Sequence, residues 1–334
     1  MQMIKVILIN RRAQDGQFSI ERVFKIISTS LRSGNISIKN YTSPMYSKGI
    51  FKRLYNIVHV ALTTKGIRHI AGDVTYLALF LSKKSLIVTF HDIYIYKSKK
   101  GISKFIIGFF WYKIPLKKAK YITTISEFTK NELIKHFNID QKKIHLISNP
   151  LPIGFKKHQR LSIDPLKKIN ILQIGTKKNK NLLRVIDALN KLSPKYKFQL
   201  NIVGKQPDYL DTANLNFKIK IQSQLNEIQL IEEYVNSDLL IFASTYEGFG
   251  LPIIEAQAIG RPVITSSIEP MKSVSGNAAM LVNPYSVDEI ACAVEKIVID
   301  KVAAEKLVLQ GLENAKSYKI DIIASKYRAL YEKT

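Results

Sequence analysis

Short, mainly apolar runs of β type recur along the chain, and helix-length stretches of mixed polarity separate most of them. In the N-terminal part the runs fall at 4–9, 67–70, 86–90, 121–124 and 144–147, and a second series follows at 169–174, 200–203, 239–242, 263–265 and 279–282. Runs this short, largely apolar and closed by turn residues, have the pattern of parallel strands buried on both faces. Helices are predicted over 127–137, 180–192, 227–236, 252–259 and 287–299, with Ser126 capping the first of these and Ser19 capping another that runs through Ser30. Alternating strands and helices predict an α/β chain with two doubly wound parallel sheets. The break between the two series comes at Asn149-Pro150-Leu151-Pro152 and the basic stretch 156–160, which places domains at 1–158 and 159–317. Ligands on such sheets gather beyond the carboxyl ends of the strands, so a cleft between two of them is the expected site.

The most informative stretch is 244–258, Ser-Thr-Tyr-Glu-Gly-Phe-Gly-Leu-Pro-Ile-Ile-Glu-Ala-Gln-Ala. It follows the apolar run 239–242 and joins a glycine turn to a proline-started helix. Pro252 suits a first helical position, where its missing N–H costs nothing. The N–H groups of Phe249, Gly250 and Leu251 would then sit at a helix N-terminus, an anion site. Gly248 and Gly250 permit the tight backbone. Glu247 and Glu255 flank this site; carboxylates there would repel a phosphate but bind hydroxyls beside it, at roughly 1.5–3 kcal/mol for each charged hydrogen bond.

Glu247 to Glu255 matches the E-x7-E signature of retaining glycosyltransferases. The longer text, Tyr246-Glu247-Gly248-Phe249-Gly250-Leu251-Pro252, then Glu255-Ala256, then Gly260-Arg261-Pro262-Val263, resembles glycosyltransferase family 4. The resemblance implies a GT-B fold, two Rossmann-like domains facing a central cleft, with acceptor on the first and a nucleoside-diphosphate sugar on the second. It implies that Glu255 binds the nucleotide ribose and Glu247 the donor sugar, that anomeric configuration is retained, and that a terminal helix in 318–334 crosses back onto the first domain.

A second phosphate candidate is Gly175-Thr176-Lys177-Lys178-Asn179-Lys180, a glycine turn and basic helix start after a strand. Basic loops after strands are common. The family places a Gly-Arg pair and then a Lys here, neutralising the leaving diphosphate; Lys180 matches that Lys, while Thr176 stands where many relatives have Arg. His91, in His91-Asp92 after the run 86–90, matches a family histidine near the donor sugar. Ser126 and Glu127 resemble a Ser-Glu pair facing the cleft, and read equally well as an N-cap and a first-turn acid. Gly16, in the loop after the first strand, stands where relatives carry a glycine-rich acceptor loop.

Charge is concentrated in the first half. Residues 1–160 hold 29 Lys and Arg against 7 Asp and Glu, so +22 of the chain's +25 lies there. A compositional bias would affect both halves, so something anionic is expected to meet the first. Within it, 97–120 carries eight lysines, no acid and a bulky aromatic centre. A segment apolar on all faces is either buried or at a membrane interface. With half the lysines reaching an anionic leaflet at about 1 kcal/mol each, electrostatics would contribute about 4 kcal/mol. Docking there would suit a polyprenyl-diphosphate-linked glycan acceptor in surface polysaccharide synthesis, such as lipopolysaccharide or capsule.

No run reaches the ~20 apolar residues of a membrane span, and 3–10 is too short and too charged for a secretory signal. A cytoplasmic protein, peripheral on the inner face of the plasma membrane, is expected. One cysteine, Cys292, excludes a disulfide framework. With no Asp-x-Asp motif and no His/Cys ligand cluster, no metal and no resident cofactor are expected. Two other classes fit parts of the sequence. A sugar-nucleotide epimerase of the same architecture needs proton-transfer groups in a half that holds only seven acids. A nucleic-acid-binding protein would fit the charge, but no recognition motif accompanies it, so no nucleic-acid partner is expected.

Overall fold

The computed structural model describes residues 3–12, 19–32, 35–159, 162–211 and 215–334. The chain forms two compact units, one of Met1–Pro150 with Ile320–Thr334 and one of Leu151–Lys319. The 156–160 stretch therefore belongs to the second unit; His158 N donates to Ile259 O there at 3.1 Å.

The first unit runs β1 (Ile4–Asn10), α1 (Ser19–Leu31), β2 (Ile36–Thr42), α2 (Ile50–Thr63), β3 (Ile67–Ile70), β4 (Leu86–Phe90), α3 (Tyr94–Lys97), α4 (Gly101–Ile107), α5 (Ile114–Lys118), β5 (Tyr121–Thr124), α6 (Glu127–Phe137) and β6 (Ile144–Leu146). The strands make one parallel sheet in the order β2-β1-β3-β4-β5-β6. Every residue of β4, Leu-Ile-Val-Thr-Phe, is buried, as its nearly continuous apolar text requires. β2 was not expected: it is an edge strand paired with β1, and its text Ile-Ser-Ile-Lys-Asn-Tyr-Thr alternates rather than running apolar.

The second unit runs β7 (Ile169–Ile174), α7 (Leu182–Leu192), β8 (Phe198–Val203), β9 (Lys218–Gln222), α8 (Glu227–Val235), β10 (Leu239–Phe242), α9 (Leu251–Ile259), β11 (Val263–Ser266), α10 (Met271–Val274), β12 (Met280–Val282), α11 (Val287–Ile299) and α12 (Lys301–Lys316). Its parallel sheet has the order β12-β11-β10-β7-β8-β9. α7 begins later than predicted, because Asn181 takes a left-handed φ of 60° and separates the turn 178–180 from the helix. α13 (Ile320–Glu332) belongs to the first unit, where Tyr327 packs edge-on to Phe24 of α1 at 5.9 Å.

Residues 101–118 form one helical rod whose central turns, Gly108–Lys113, are π-helical. The expectation of a segment apolar on all faces holds, but the rod is not a core helix. Gly108, Tyr112, Pro115 and Leu116 are buried, while Ile102 and Phe105 are 80% and 73% exposed. Among the described residues no helix is long and apolar enough to cross a membrane.

Candidate active site

In the second sheet the strand order reverses between β7 and β10, which pair directly. A reversal of this kind opens a crevice beyond the strands' carboxyl ends, where ligands bind in such folds. The two loops leaving these strands carry the predicted donor residues. Gly175 has φ +91°, and a Cβ there would lie 2.9 Å from Cγ and Cε of Lys180. The missing side chain therefore lets Lys180 lie back across the end of β7. Its Nζ is 2.6 Å from Glu247 Oε1 and 4.7 Å from the centre of the Phe242 ring. The two side chains are only 18% and 14% exposed. Asn179 ties the loops together: its Nδ2 donates to Tyr246 O at 2.9 Å, and its O accepts from Thr245 N at 2.8 Å. Thr176 is partly exposed beside Gly204, where a Cβ would come 2.9 Å from Thr176 Cγ2.

The two glutamates differ more than their spacing suggests. Glu247 is partly exposed and held by Lys180, whereas Glu255 is 4% exposed and its Oε2 accepts the Tyr234 hydroxyl at 2.7 Å. The cause is α9 itself, buried throughout 253–259 rather than amphipathic. Gly250 caps it at φ +112°, Pro252 sits in its first turn, and the first-turn N–H groups at Gly250 and Leu251 have no helical acceptor. Phe249 is buried edge-on to Tyr318 at 5.7 Å, so its side chain anchors the turn inside the second unit.

The first sheet reverses between β1 and β3. Arg11, just past β1, holds Glu21 and Asp73, each at 2.7 Å, and so joins the loops after those two strands. His91 follows β4, and its Nε2 lies 2.7 Å from Ala71 O. A carbonyl only accepts, so Nε2 carries the proton and the neutral ring presents Nδ1 as an acceptor. Enclosure lowers the His91 pKa, against the Ala71 hydrogen bond and the charges of Asp92 and Asp73, with Arg11 lowering it further. Ser126 is buried, and its Oγ accepts from Thr129 N at 3.2 Å, capping α6. Of its two readings the cap is the one built; the hydroxyl does not line an open surface. Glu127 is exposed, 3.2 Å from Lys130. Gly16 lies outside the described residues.

Sequence reasoning brought Lys180 and Glu247 together only by family analogy, and it missed Asn179, Tyr234, Arg11 and Asp73. Arg11 had a signal, a polar side chain immediately beyond a buried strand, and Asn179 lay inside the basic turn that follows β7. Tyr234 had none, since nothing in α8 marks it as the partner of a carboxylate on another helix. Among the described residues no group of three or more His, Cys, Asp and Glu stands together as a metal site would require.

Two family models divide the chain between them: residues 4–154 match Glycosyltransferase Family 4, and residues 156–315 match Glycosyl transferases group 1. An O-antigen chain mannosyltransferase B of Escherichia coli is 26% identical over 251 residues, covering 70% of this chain and 66% of its own length. The O-antigen chain mannosyltransferase RfbU of Salmonella typhimurium is 29% identical over 208 residues, covering 59% and 56%. The chain thus spans less than two thirds of the length of either relative. A solved glycosyltransferase from Rickettsia africae superposes with a TM-score of 0.76 at 20% identity, over 100% of this chain and 99% of that one. With its two switch-point sheets and its paired family matches, the chain belongs to the family 4 glycosyltransferases of GT-B fold.

Proposed function

We propose that the protein transfers a hexosyl residue from a nucleoside-diphosphate sugar to a glycan or polyprenyl-diphosphate-linked glycan in surface-polysaccharide synthesis, with retention and without a divalent metal. The mannosyltransferase relatives favour mannose as the sugar. The observation that carries the reading is the 2.6 Å Lys180–Glu247 pair at the switch point. The pair is a stored charge arrangement. An arriving diphosphate competes for the Lys180 ammonium and frees the Glu247 carboxylate to accept sugar hydroxyls. Glu255 serves the ribose, and the first-turn N–H groups of α9 take phosphate oxygen. As the sugar C1–O bond to the diphosphate breaks, negative charge grows on the leaving oxygen, and Lys180 stabilises it there. The acceptor hydroxyl bonds to C1 on the same face and its proton passes to the leaving diphosphate. His91, neutral and fixed by Ala71, offers Nδ1 to a sugar hydroxyl.

The test is turnover and thermal shift with GDP-mannose and with UDP- and dTDP-hexoses, in EDTA, for the wild type and Lys180→Gln. The expected result is stabilisation by one nucleotide class and a loss of about 10²–10³ in kcat for the variant. Silence with every donor sinks the transferase reading, activity only with added metal sinks its metal-free part, and an inverted product anomer sinks retention.

A further inference from the structure

The first unit contains a cavity of about 470 Å³ at the reversal of its own sheet, walled by Arg11, Arg12 and Asp73 beyond β1 and β3, by Arg53 of α2, by Lys99 between α3 and α4, and by Trp111 of the helical rod. Its charge is unbalanced in a specific way. Asp73, the one acid of its wall, is held by Arg11 at 2.7 Å. Arg12, Arg53 and Lys99 touch no carboxylate among the described residues. Their heads are fixed by neutral groups instead. Arg12 donates to Pro44 O at 2.8 Å and stacks over Tyr46, while Arg53 donates to Ser47 O at 3.2 Å and stacks over Trp111 at 4.9 Å. The Arg53 Nε is buried with no hydrogen-bond partner. That nitrogen has almost no surface open to the cavity, so a ligand meets the guanidinium through its Nη groups, whose planar fork suits an oxyanion. The remaining wall is Ser47 and Ser103 with an apolar side made by Ile95, Ile106 and Ile107. Ile106 continues outward into the exposed face that carries Phe105, Phe109 and Phe110.

We propose that this cavity holds the phosphoryl headgroup of an amphiphilic acceptor, a phosphate or diphosphate ester whose apolar chain leaves over Ile106 and the exposed aromatic face. The inference rests on the transferase reading for the word acceptor and extends it. Gly16, Ser126 and Glu127 were the residues expected to meet the acceptor, whereas the cavity draws its cations from Arg12, Arg53 and Lys99. The headgroup replaces the water that a guanidinium in an open pocket would hold, and the apolar wall discriminates a prenyl ester from free phosphate.

Trp111 is the sole tryptophan of the chain and lines the cavity, so its emission reports occupancy directly. The full chain is titrated with farnesyl diphosphate, inorganic pyrophosphate, farnesol and phosphatidylglycerol vesicles. The expected result is a saturable change with farnesyl diphosphate, a weaker one with pyrophosphate and none with farnesol. Arg53→Gln raises the apparent Kd about 10- to 100-fold. Lys99→Gln, at an exposed position where folding is not at stake, raises it about two- to fivefold. Three results overturn the proposal: unchanged titrations in both variants, displacement of farnesyl diphosphate by GDP or UDP, which would put it in the donor site, or an equal response to the vesicles that Ile102→Ser with Phe105→Ser leaves unchanged, which would make the cavity itself, and not the exposed face of the rod, a bilayer contact. Nucleotide binding by the wild type is measured beside these. Its absence sinks the transferase reading while leaving the headgroup result standing; nucleotide binding without any farnesyl diphosphate response sinks this one alone.

Discussion

His69 Nδ1 in β3 lies 2.7 Å from the hydroxyl of Tyr331 in α13, so the centre of the first sheet is bonded to the last helix of the chain. The opposite ring nitrogen, Nε2, is 2.7 Å from Thr89 Oγ1 of β4. All three groups are buried. Tyr331→Phe keeps the packing and removes one bond, leaving a buried ring nitrogen unmet, and is expected to cost about 1–3 kcal/mol. Urea unfolding checks it; a change within about 0.5 kcal/mol, ordinary for a surface substitution, would mean that α13 is held by apolar packing alone.

The same histidine gives the stability a pH dependence of fixed sign. Burial, with the charge of His91 adding to it, lowers the His69 pKa from 6.5 to about 3. The folded state therefore binds fewer protons than the unfolded one between those values. Its contribution is complete above pH 6.5 and is lost as pH falls toward 3. The expected slope from this one group reaches about 1.4 kcal/mol per pH unit, and His91, lowered in the same direction, adds to it. Melting curves from pH 7 to pH 4 for the wild type and His69→Gln would show a shallower decline in the variant. Parallel curves would refute the assignment.

At the donor side the sharpest geometric test is Gly175→Ala. The φ of +91° and the 2.9 Å approach to Lys180 mean that a methyl group strains the backbone and pushes the lysine off the end of β7. Strain of this kind costs about 1–3 kcal/mol. The displaced ammonium should lower kcat and leave the fold intact in circular dichroism. Full activity in the alanine variant would show that the position of Lys180 over Gly175 is not the working one.

How much of this was readable beforehand follows a physical line. Strand β10 is wholly apolar and buried throughout, and β4 and β7 keep largely apolar texts interrupted only by Thr89 and by Asn170 and Gln173, so all three announce themselves. The edge strands β2 and β9 are half-solvated, and Lys-Ile-Lys-Ile-Gln at β9 carries too little apolar text to separate it from a loop. α2 was unreadable for the opposite reason: it leaves Ile50, Phe51 and Leu62 exposed, so its apolar positions do not mark an inner face. Within the site, glycines and glutamates were legible because turn chemistry and spacing are local. The Tyr234–Glu255 bond and the Arg11–Asp73 bridge were not, because each joins segments that only the fold brings together.

The helical rod 101–118 supplies the last prediction. Its outward face carries Ile102 and Phe105, and Lys99, Lys100 and Lys104 lie along the same stretch with no acid between 97 and 120. An apolar stripe flanked by cations is the pattern of a helix lying in the headgroup region of an anionic bilayer. Full burial of a large apolar side chain contributes about 1.5–3 kcal/mol, and the lysines add a part that salt screens. Ile102→Ser with Phe105→Ser should therefore abolish most cosedimentation with phosphatidylglycerol vesicles. For the wild type, binding should weaken on raising salt from 0.1 to 0.5 M, as the screening length falls below about 10 Å. Phe51→Ser, on the exposed face of α2, tells whether that helix shares the surface. Undiminished binding by the double variant, or equal binding to neutral phosphatidylcholine vesicles, would remove the rod from any membrane role and leave its exposed aromatics to serve the acceptor chain alone.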